Sequence, residues 1–527
     1  MFRVTAFISV WIATLGNLAL WHALYGLPEV HGWSGLFVCL ATGVMVAALV
    51  YALLSLFAWR WTFKPVGTMC LLAAGSGAYF MLAYGVILDT PMMTNMLATD
   101  TREVGDLLNW RLLGTVLVLG VLPSAWLWRQ TLTQHLRKSF KAQLSRNLLG
   151  FVLALALAVA SVFTVFQDFA ALHRNHMALR SLINPLSSFY SLGEIATEPL
   201  WGKRGALQPI GMDASLALAS KPPLIILVVG ETARAGNFGI NGYARDTTPA
   251  LVQLAKTEHF ISQKEVLSCG TSTEASLPCM FSHLGRTGYE SSRERFESLL
   301  DVLQRAGLAV LWLDNQSGCK GLCDRVPHAD ISGEQFDEVM LQGLQSRLDV
   351  LPADRRAKGV VVVMHQMGSH GPAYYKRSPQ SMKAFTPECI SNALATCSKI
   401  EVVNAYDNSI RYTDHFLSAT VKWLQANTSM ASSAMLYLAD HGESLGENNL
   451  YLHGLPYAVA PDVQKRVPWI TWLSRDFVTT RKMNVPCLQG RADARLSHDN
   501  YFHSVLGLAG VQTALYKPEL DIYAACQ

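Results

Sequence analysis

Charge is what this 527-residue chain has least of: Asp, Glu, Lys and Arg make up 16% of it, against roughly 25% in an ordinary soluble protein. The formal net charge is only +4 and is dispersed, which excludes a basic nucleic-acid surface as the organising feature. No internal repeat and no low-complexity tract is present, which excludes a repeat architecture. The length excludes a single compact domain. No GK[ST] follows the glycine of "VVGETARAG", so that turn is not a P-loop. The cysteines lack the paired CxxC spacing of a zinc ribbon.

What is present is apolar length. Hydrophobic residues are 50% of the chain, and most of the excess lies in the first third. Five segments reach the roughly 20 mainly apolar residues that a bilayer requires: about 4–24, 34–58, 66–88, 111–128 and 148–167. Arg3 precedes the first of these as it would a signal peptide, but no small-residue cleavage site closes it, so it reads as an anchor. Arg129, Arg137, Lys138, Lys141 and Arg146 lie between the fourth and fifth segments, and Arg60 and Lys64 between the second and third; the loop near 25–33 has no Lys or Arg. Basic loops face the cytoplasm. The N-terminus is therefore cytoplasmic, and everything after about 170 lies on the opposite face.

Cysteine usage agrees. Of ten cysteines, Cys39 and Cys70 fall in expected spans, which leaves Cys269, Cys279, Cys319, Cys323, Cys389, Cys397, Cys487 and Cys526. An even number at close spacing suits disulfides in an oxidising compartment.

Residues 1–167 thus form a five-helix membrane domain with an extracytoplasmic loop near 89–110, and 168–220 read as a linker along the membrane surface. Residues 221–527 form a second domain. There, "LIILVV", "AVLWLDN", "GVVVVMHQ" and "AMLYLADHG" are continuous apolar runs, as expected of strands buried on both faces. Helical patterns such as 295–306 and 400–426 separate them, so the expected fold is α/β with a mainly parallel sheet. Each run ends in a polar cluster: Glu231, the Asp314–Lys320 region, His365 with His370, and Asp440 with His441. Functional residues of open α/β sheets gather at the carboxyl ends of strands, so these clusters are expected on one rim.

"LADHGESLGENNLYLHG" offers Asp440, His441, Glu443, Glu447 and His453, oxygen and nitrogen donors of the kind zinc accepts. "SCGTSTEASLPC" supplies Thr271, Ser272, Thr273 and Ser276. A hydroxyl is a weak nucleophile at neutral pH, and metal coordination activates it. Composition does not choose among the four.

Six blocks in order, "VVGETARAGNFGINGYARDTTP", "SCGTSTEASLPCMFSHLG", "DNQSGCKGLCDR", "HQMGSHGPAYYKRSP", "NAYDNSIRYTD" and "DHGESLGENNLYLHGLPYAVAP", resemble the bacterial phosphoethanolamine transferases, lipid A-modifying enzymes related to the colistin-resistance transferases. The resemblance spans nearly the whole chain and implies five spans followed by a periplasmic, alkaline-phosphatase/sulfatase-like domain in the inner membrane of a bacterium. It implies Zn2+ held by Glu231, Asp440 and His441, with Thr273 as nucleophile and fourth ligand. His370 and His453 match residues that contact the phosphoryl group or a second zinc, and Lys320 matches a substrate-contacting lysine. Cys269–Cys279, Cys319–Cys323 and Cys389–Cys397 are disulfides by the same resemblance; Cys487 and Cys526 remain for each other.

In "PMMTNMLATDTREVGDLLN", Asn95, Thr99 and Glu103 recur every four residues, so one helix would place them on one face; the resemblance implies that they bind the donor headgroup. The implied donor is phosphatidylethanolamine and the implied acceptor a lipid A phosphate, with an inner-core sugar or a periplasmic glucan, or phosphoglycerol as the transferred group, as alternatives within the superfamily. A sulfatase would need a Cys or Ser in a C/S-x-P-x-R context, which residues 268–282 lack. A membrane sensor with structural zinc would close its site with protein ligands and would carry no phosphothreonine.

Overall fold

The computed structural model describes every residue except 28–29, 98, 100, 132–139, 202–205, 218–219, 332–335 and 428–430. Arg137 and Lys138 thus lie outside the described residues. The chain divides into two compact units, Met1–Met93 with Leu107–Ala196, and Thr94–Asp106 with Thr197–Gln527.

Among its described residues, the first unit holds five helices long and apolar enough to cross a membrane: Phe2–Tyr25, Gly32–Leu56, Phe63–Tyr84, Trp110–Arg129 and Phe140–Phe163. The fifth begins ahead of the apolar stretch read from the sequence. Helical hydrogen bonding continues into the polar flank "FKAQLSRN", which hydropathy alone marks as outside. In the fourth, the turn Leu117–Val121 widens to π-helix just before Pro123, where proline removes a ladder donor. The first contains a 3-10 turn at Leu15–Asn17. Asn17 is buried there, and its Nδ2 donates to Ile12 O at 2.8 Å and to Asn184 O at 2.6 Å. Asn184 replies through its own amide, which donates to Asn17 Oδ1, and its Nδ2 donates to Gly16 O and Ala74 O. The stretch expected as a linker is largely helical, in Phe166–Asn175 and Leu186–Trp201.

The second unit is built on an eight-stranded sheet. Its strands are β1 Pro223–Gly230, β2 His259–Leu267, β3 Ala309–Asp314, β4 His328–Asp330, β5 Val360–His365, β6 Ser432–Ala439, β7 Arg466–Leu473 and β8 Arg495–Ser497. The spatial order is β8-β2-β7-β6-β1-β5-β3-β4. Only β7 runs against the rest, antiparallel to both β2 and β6. Every residue of β1, β3 and β6 is buried, which is why these strands read as unbroken apolar runs. The long helix Lys399–Ala426 starts with a capping box between Ser398 and Glu401. Disulfides join Cys269–Cys279, Cys319–Cys323, Cys389–Cys397 and Cys487–Cys526, while Cys39 and Cys70 are free.

Gly230 closes β1 against a tyrosine. A Cβ placed there would lie 2.5 Å from the ring and hydroxyl of Tyr437, a side chain that is itself buried in the neighbouring strand. Gly230→Ala is expected to destabilise the unit by about 1–3 kcal/mol, the usual cost of overpacking. Denaturant unfolding of the full-length protein, followed by tryptophan fluorescence, measures it; an unchanged midpoint contradicts the packing argument.

Candidate metal centre

The parallel strands β6, β1, β5 and β3 are neighbours, and their register fixes where their polar ends fall. Gly230 pairs with Ala439, Val229 with His365, and His365 with Asp314. The residues that follow β1 and β6, namely Glu231, Asp440 and His441, therefore meet at one rim, with His365 and Asp314 beside them.

The helix Thr273–Met280 brings its first residue to the same place. Thr273 Oγ1 donates to Glu231 Oε2 at 2.9 Å and lies 3.4 Å from His441 Nε2. His441 Nε2 is 3.4 Å from both Glu231 Oε1 and Asp440 Oδ2. The carboxylates of Glu231 and Asp440 and the imidazole of His441 each present one ligand atom within 4.8 Å of the others, and all are buried. Gly368, at φ +50°, passes close behind: a Cβ there would approach Glu231 O to 2.7 Å.

Each of these groups is oriented from behind. His441 Nδ1 faces Gly442 O at 2.9 Å, so Nδ1 carries a proton and Nε2 is the ring nitrogen turned into the cluster. Asp440 Oδ1 accepts the main-chain N–H of His441 at 2.7 Å and of Thr232 at 3.2 Å. Asp440 Oδ2 is buried and accepts no hydrogen bond among the described residues. Thr232 also donates through Oγ1 to Glu231 Oε1, and Gln316 Nε2 donates to Glu231 Oε2 at 3.1 Å. Thr232 does this at φ +56°, an unusual conformation for a β-branched residue and one that accumulates at functional sites.

The four hydroxyls of "SCGTSTEASLPC" separate by partner. Thr271 Oγ1 donates to Leu455 O at 2.6 Å, and Ser276 Oγ to Asp440 O at 2.5 Å. Ser272 is the N-cap of the helix. Thr273 Oγ1 instead contacts the Glu231 and His441 side chains.

A second group lies next to the first: His441, Glu443 and His453 also have ligand atoms within 4.8 Å of one another. The His441 and His453 rings are 4.2 Å apart, and His370 lies 5.7 Å from His453. Glu443 accepts from Tyr374 OH and faces His453 Nδ1 at 2.8 Å. Lys320, at φ +49°, reaches Ser317 Oγ at 3.2 Å and Glu274 at 3.6 Å. Glu447 is not part of the cluster, because it pairs with Arg234 at 2.8 Å. His365 instead pairs with Asp314, 3.1 Å away.

The single helix expected to align Asn95, Thr99 and Glu103 does not form. Thr90–Leu97 and Thr101–Leu107 are separate short helices; Thr99 lies between them and Oγ1 donates to Asn95 O at 2.9 Å. The "TDT" run favours this break, because β-branched Thr and the capping residue Asp are poor helix-interior choices. The Glu103 side chain lies outside the described residues.

Chemically, the cluster suits a divalent cation. Burial alone would raise both carboxyls and lower the imidazole. Against that burial, His441 and its neighbouring histidines hold Glu231 well below the usual carboxylate range. Asp440 is pushed up to about 6 by burial and by the charge of Glu231. His441, which burial would lower, is raised to about 10 by Asp440 and Glu231. Among the described residues, His441 is the ion-pair partner of both acids. Two acids and one imidazole whose Nε2 faces them are a mixed N/O donor set of the zinc type once a cation displaces the ring proton.

Comparison with known proteins agrees with this fold. The family described as "Phosphoethanolamine transferase EptA/EptB" matches residues 46–200, and the Sulfatase family matches residues 223–511. The phosphoethanolamine transferase EptA of Escherichia coli K12 is 36% identical over 98% of this chain and 96% of its own. The chain belongs to the phosphoethanolamine transferase family. The transferase is also 35% identical to the phosphatidylethanolamine transferase Mcr-1 of Escherichia coli, over 90% of each chain. The solved integral membrane lipooligosaccharide phosphoethanolamine transferase A of Neisseria meningitidis superposes with a TM-score of 0.90 at 32% identity, covering 100% of this chain and 98% of that one. The C-terminal periplasmic domain of the Campylobacter jejuni transferase EptC gives 0.54 at 39% identity, covering 60% of this chain and 97% of its own. This transferase is accordingly an integral membrane enzyme with its catalytic domain in the periplasm.

Sequence reasoning missed three residues that shape the transferase site. Thr232 and Gln316 lie inside the quoted blocks, but their roles depend on a backbone angle and a side-chain reach that spacing does not encode. His498 lies outside every block. Its Nδ1 accepts the main-chain N–H of Cys269 at 3.1 Å and its Nε2 faces Ala439 O at 3.0 Å, so a neutral ring ties the Thr273 loop to the end of β6. Burial pushes the His498 imidazole down to about 3. An unfolded histidine titrates near 6.5, so between these values the unfolded chain holds a proton that the folded one does not. Its contribution is fully present above about pH 6.5 and is lost as pH falls through about 3. His498→Gln is therefore expected to be less stable at neutral pH but to have a flatter acid limb; thermal unfolding across pH 7 to about 4 measures the difference. Parallel acid limbs contradict a neutral His498.

Proposed function

We propose that the chain transfers phosphoethanolamine from phosphatidylethanolamine to a lipid A phosphate through a phosphothreonine at Thr273. The observation that carries this reading is the placement of the Thr273 hydroxyl between Glu231 and His441. Residues 1–167 serve as the membrane domain, 168–220 as the linker and 221–527 as the catalytic domain.

Glu231, Asp440 and His441, with Thr273 as the fourth donor, would hold Zn2+. Bound there, zinc would lower the pKa of the threonine hydroxyl and draw charge from the phosphoryl oxygens. Thr273 Oγ1 bonds to the phosphorus of the donor while the bond from phosphorus to the diacylglycerol oxygen breaks. The hydroxyl proton has an acceptor at Glu231 Oε2, 2.9 Å away, and the departing diacylglycerol takes one up. A lipid A phosphate oxygen then attacks the phosphothreonine and returns the hydroxyl.

The phosphoryl group forms at the first residue of the Thr273–Met280 helix, where main-chain N–H groups favour an anion. His370, His453 and Lys320 face that group as cationic or hydrogen-bonding contacts, the two histidines also being suited to a second zinc. Asn95, Thr99 and Glu103 bind the donor headgroup. Each added amine lowers the negative charge of the outer surface and weakens its attraction for cationic peptides such as polymyxin.

The test uses the full-length protein in nanodiscs with phosphatidylethanolamine. Phosphopeptide mass spectrometry is expected to find the phosphoryl group on Thr273, and Thr273→Ala to lose both it and transfer while keeping its melting temperature. Transfer by that variant at wild-type rate would sink the mechanism. Chelation is expected to abolish phosphothreonine formation and added zinc to restore it. Mass spectrometry of lipid A from cells with and without the protein identifies the acceptor, and unmodified lipid A beside a modified glycan redirects the assignment.

A further inference from the structure

Asp106 ends the segment Thr94–Asp106, which belongs to the same compact unit as the catalytic sheet. Its carboxylate is buried, at 6% exposure, and is held from two sides. Arg377 Nη2 lies 2.9 Å from Oδ2 and Lys376 Nζ 2.5 Å from Oδ1. Asn392 Nδ2 donates to the main-chain carbonyl of the same residue. Two features connect this grip to the candidate centre. Arg377 Nε donates to His370 O at 2.8 Å, so one guanidinium spans from Asp106 to the main chain of His370. Asn392 sits within the loop closed by Cys389–Cys397.

Stability alone is a poor reason for such a pair. Burying a carboxylate with a guanidinium carries a desolvation cost that a hydrophobic pair of equal volume avoids. What charged, hydrogen-bonded groups supply is a defined geometry, because the planar fork of Arg bonds in fixed directions. The two short helices Thr90–Leu97 and Thr101–Leu107 have few residues with which to hold a position of their own.

We propose that Arg377, Asn392 and the Cys389–Cys397 loop are a clamp that positions the 94–106 segment for the lipid donor. They fix the headgroup-binding segment to the same main chain that carries His370, so donor recognition and phosphoryl transfer share one geometry. The disulfide thereby acts on donor binding and not on the metal centre. This rests on the donor reading of Asn95, Thr99 and Glu103 given above.

The experiment compares full-length wild type with Asp106→Asn, Asn392→Ala and the double variant Cys389→Ser/Cys397→Ser in mixed micelles of phosphatidylethanolamine. Loss of a positioning contact is expected to raise KM for the donor about tenfold while kcat stays within about twofold. Zinc content is expected to stay at the wild-type level, and trypsin to cleave faster after Arg102. Asn392→Ala keeps the charged pair intact and so tests the clamp without leaving a buried ion unpaired. An unchanged KM overturns the proposal, as does a fall in zinc content and kcat with KM constant, which marks a merely structural role. Absence of phosphothreonine in the wild type overturns the functional reading and this inference with it; phosphothreonine at Thr273 with unchanged KM in all variants overturns this inference alone.

Discussion

Two carboxylates buried beside one imidazole leave a deficit of positive charge, and the rest of the catalytic unit is arranged around that deficit. Glu231 and Asp440 are fully enclosed, and their ion-pair partner among the described residues is His441. A buried charge without compensation is among the most destabilising features a fold can carry. The chain tolerates it by distributing hydrogen bonds: Thr232 donates to both acids, Gln316 to Glu231 and the amide of His441 to Asp440. One oxygen, Asp440 Oδ2, has no hydrogen-bond donor among the described residues and only the His441 ring 3.4 Å away. That remaining acceptor is where a cation gains most.

The geometry needed for this arrangement comes from the sheet and from one short helix. Parallel register brings the ends of β1 and β6 level, and the antiparallel β7 lies on the far side of β6. The Thr273 loop approaches from elsewhere in the chain and is fixed by the Cys269–Cys279 bond, by Thr271 against Leu455 and by Ser276 against Asp440. Its flanking hydroxyls serve as anchors, which leaves Thr273 to face the acids. The strained backbone of Thr232 belongs to the same economy, since one residue orients both carboxylates.

Much of this was legible in the sequence. Membrane spans and buried parallel strands leave long apolar runs, and polar clusters at the ends of those runs foretold a common rim. The convergence of Glu231, Asp440 and His441 follows from that pattern once register is added. Other parts were not legible. The break between Leu97 and Thr101 was hidden by a four-residue repeat that suggested one helix. Glu447 shares a segment with the metal-type donors, yet Arg234 captures it. Thr232, Gln316 and His498 act through backbone angle and three-dimensional reach, properties that residue type and spacing do not record. The choice of Thr273 over its neighbours was open to composition and came from the resemblance alone; what Thr271 and Ser276 touch supplies a physical reason for it.

The hydrogen bonds between Asn17 and Asn184 join residues 167 positions apart. Asn17 lies at the 3-10 turn of the first span, where its own helix offers it only Ile12 O and Asn184 supplies the remaining bonds. In lipid such a group stays unsatisfied until protein supplies a partner. The partner here lies beyond all five spans in the chain. The first helix is thus completed only by a residue that follows the fifth. A chain that stops short of Asn184 therefore carries, in its first span, a polar side chain and a helix irregularity that only a later residue closes.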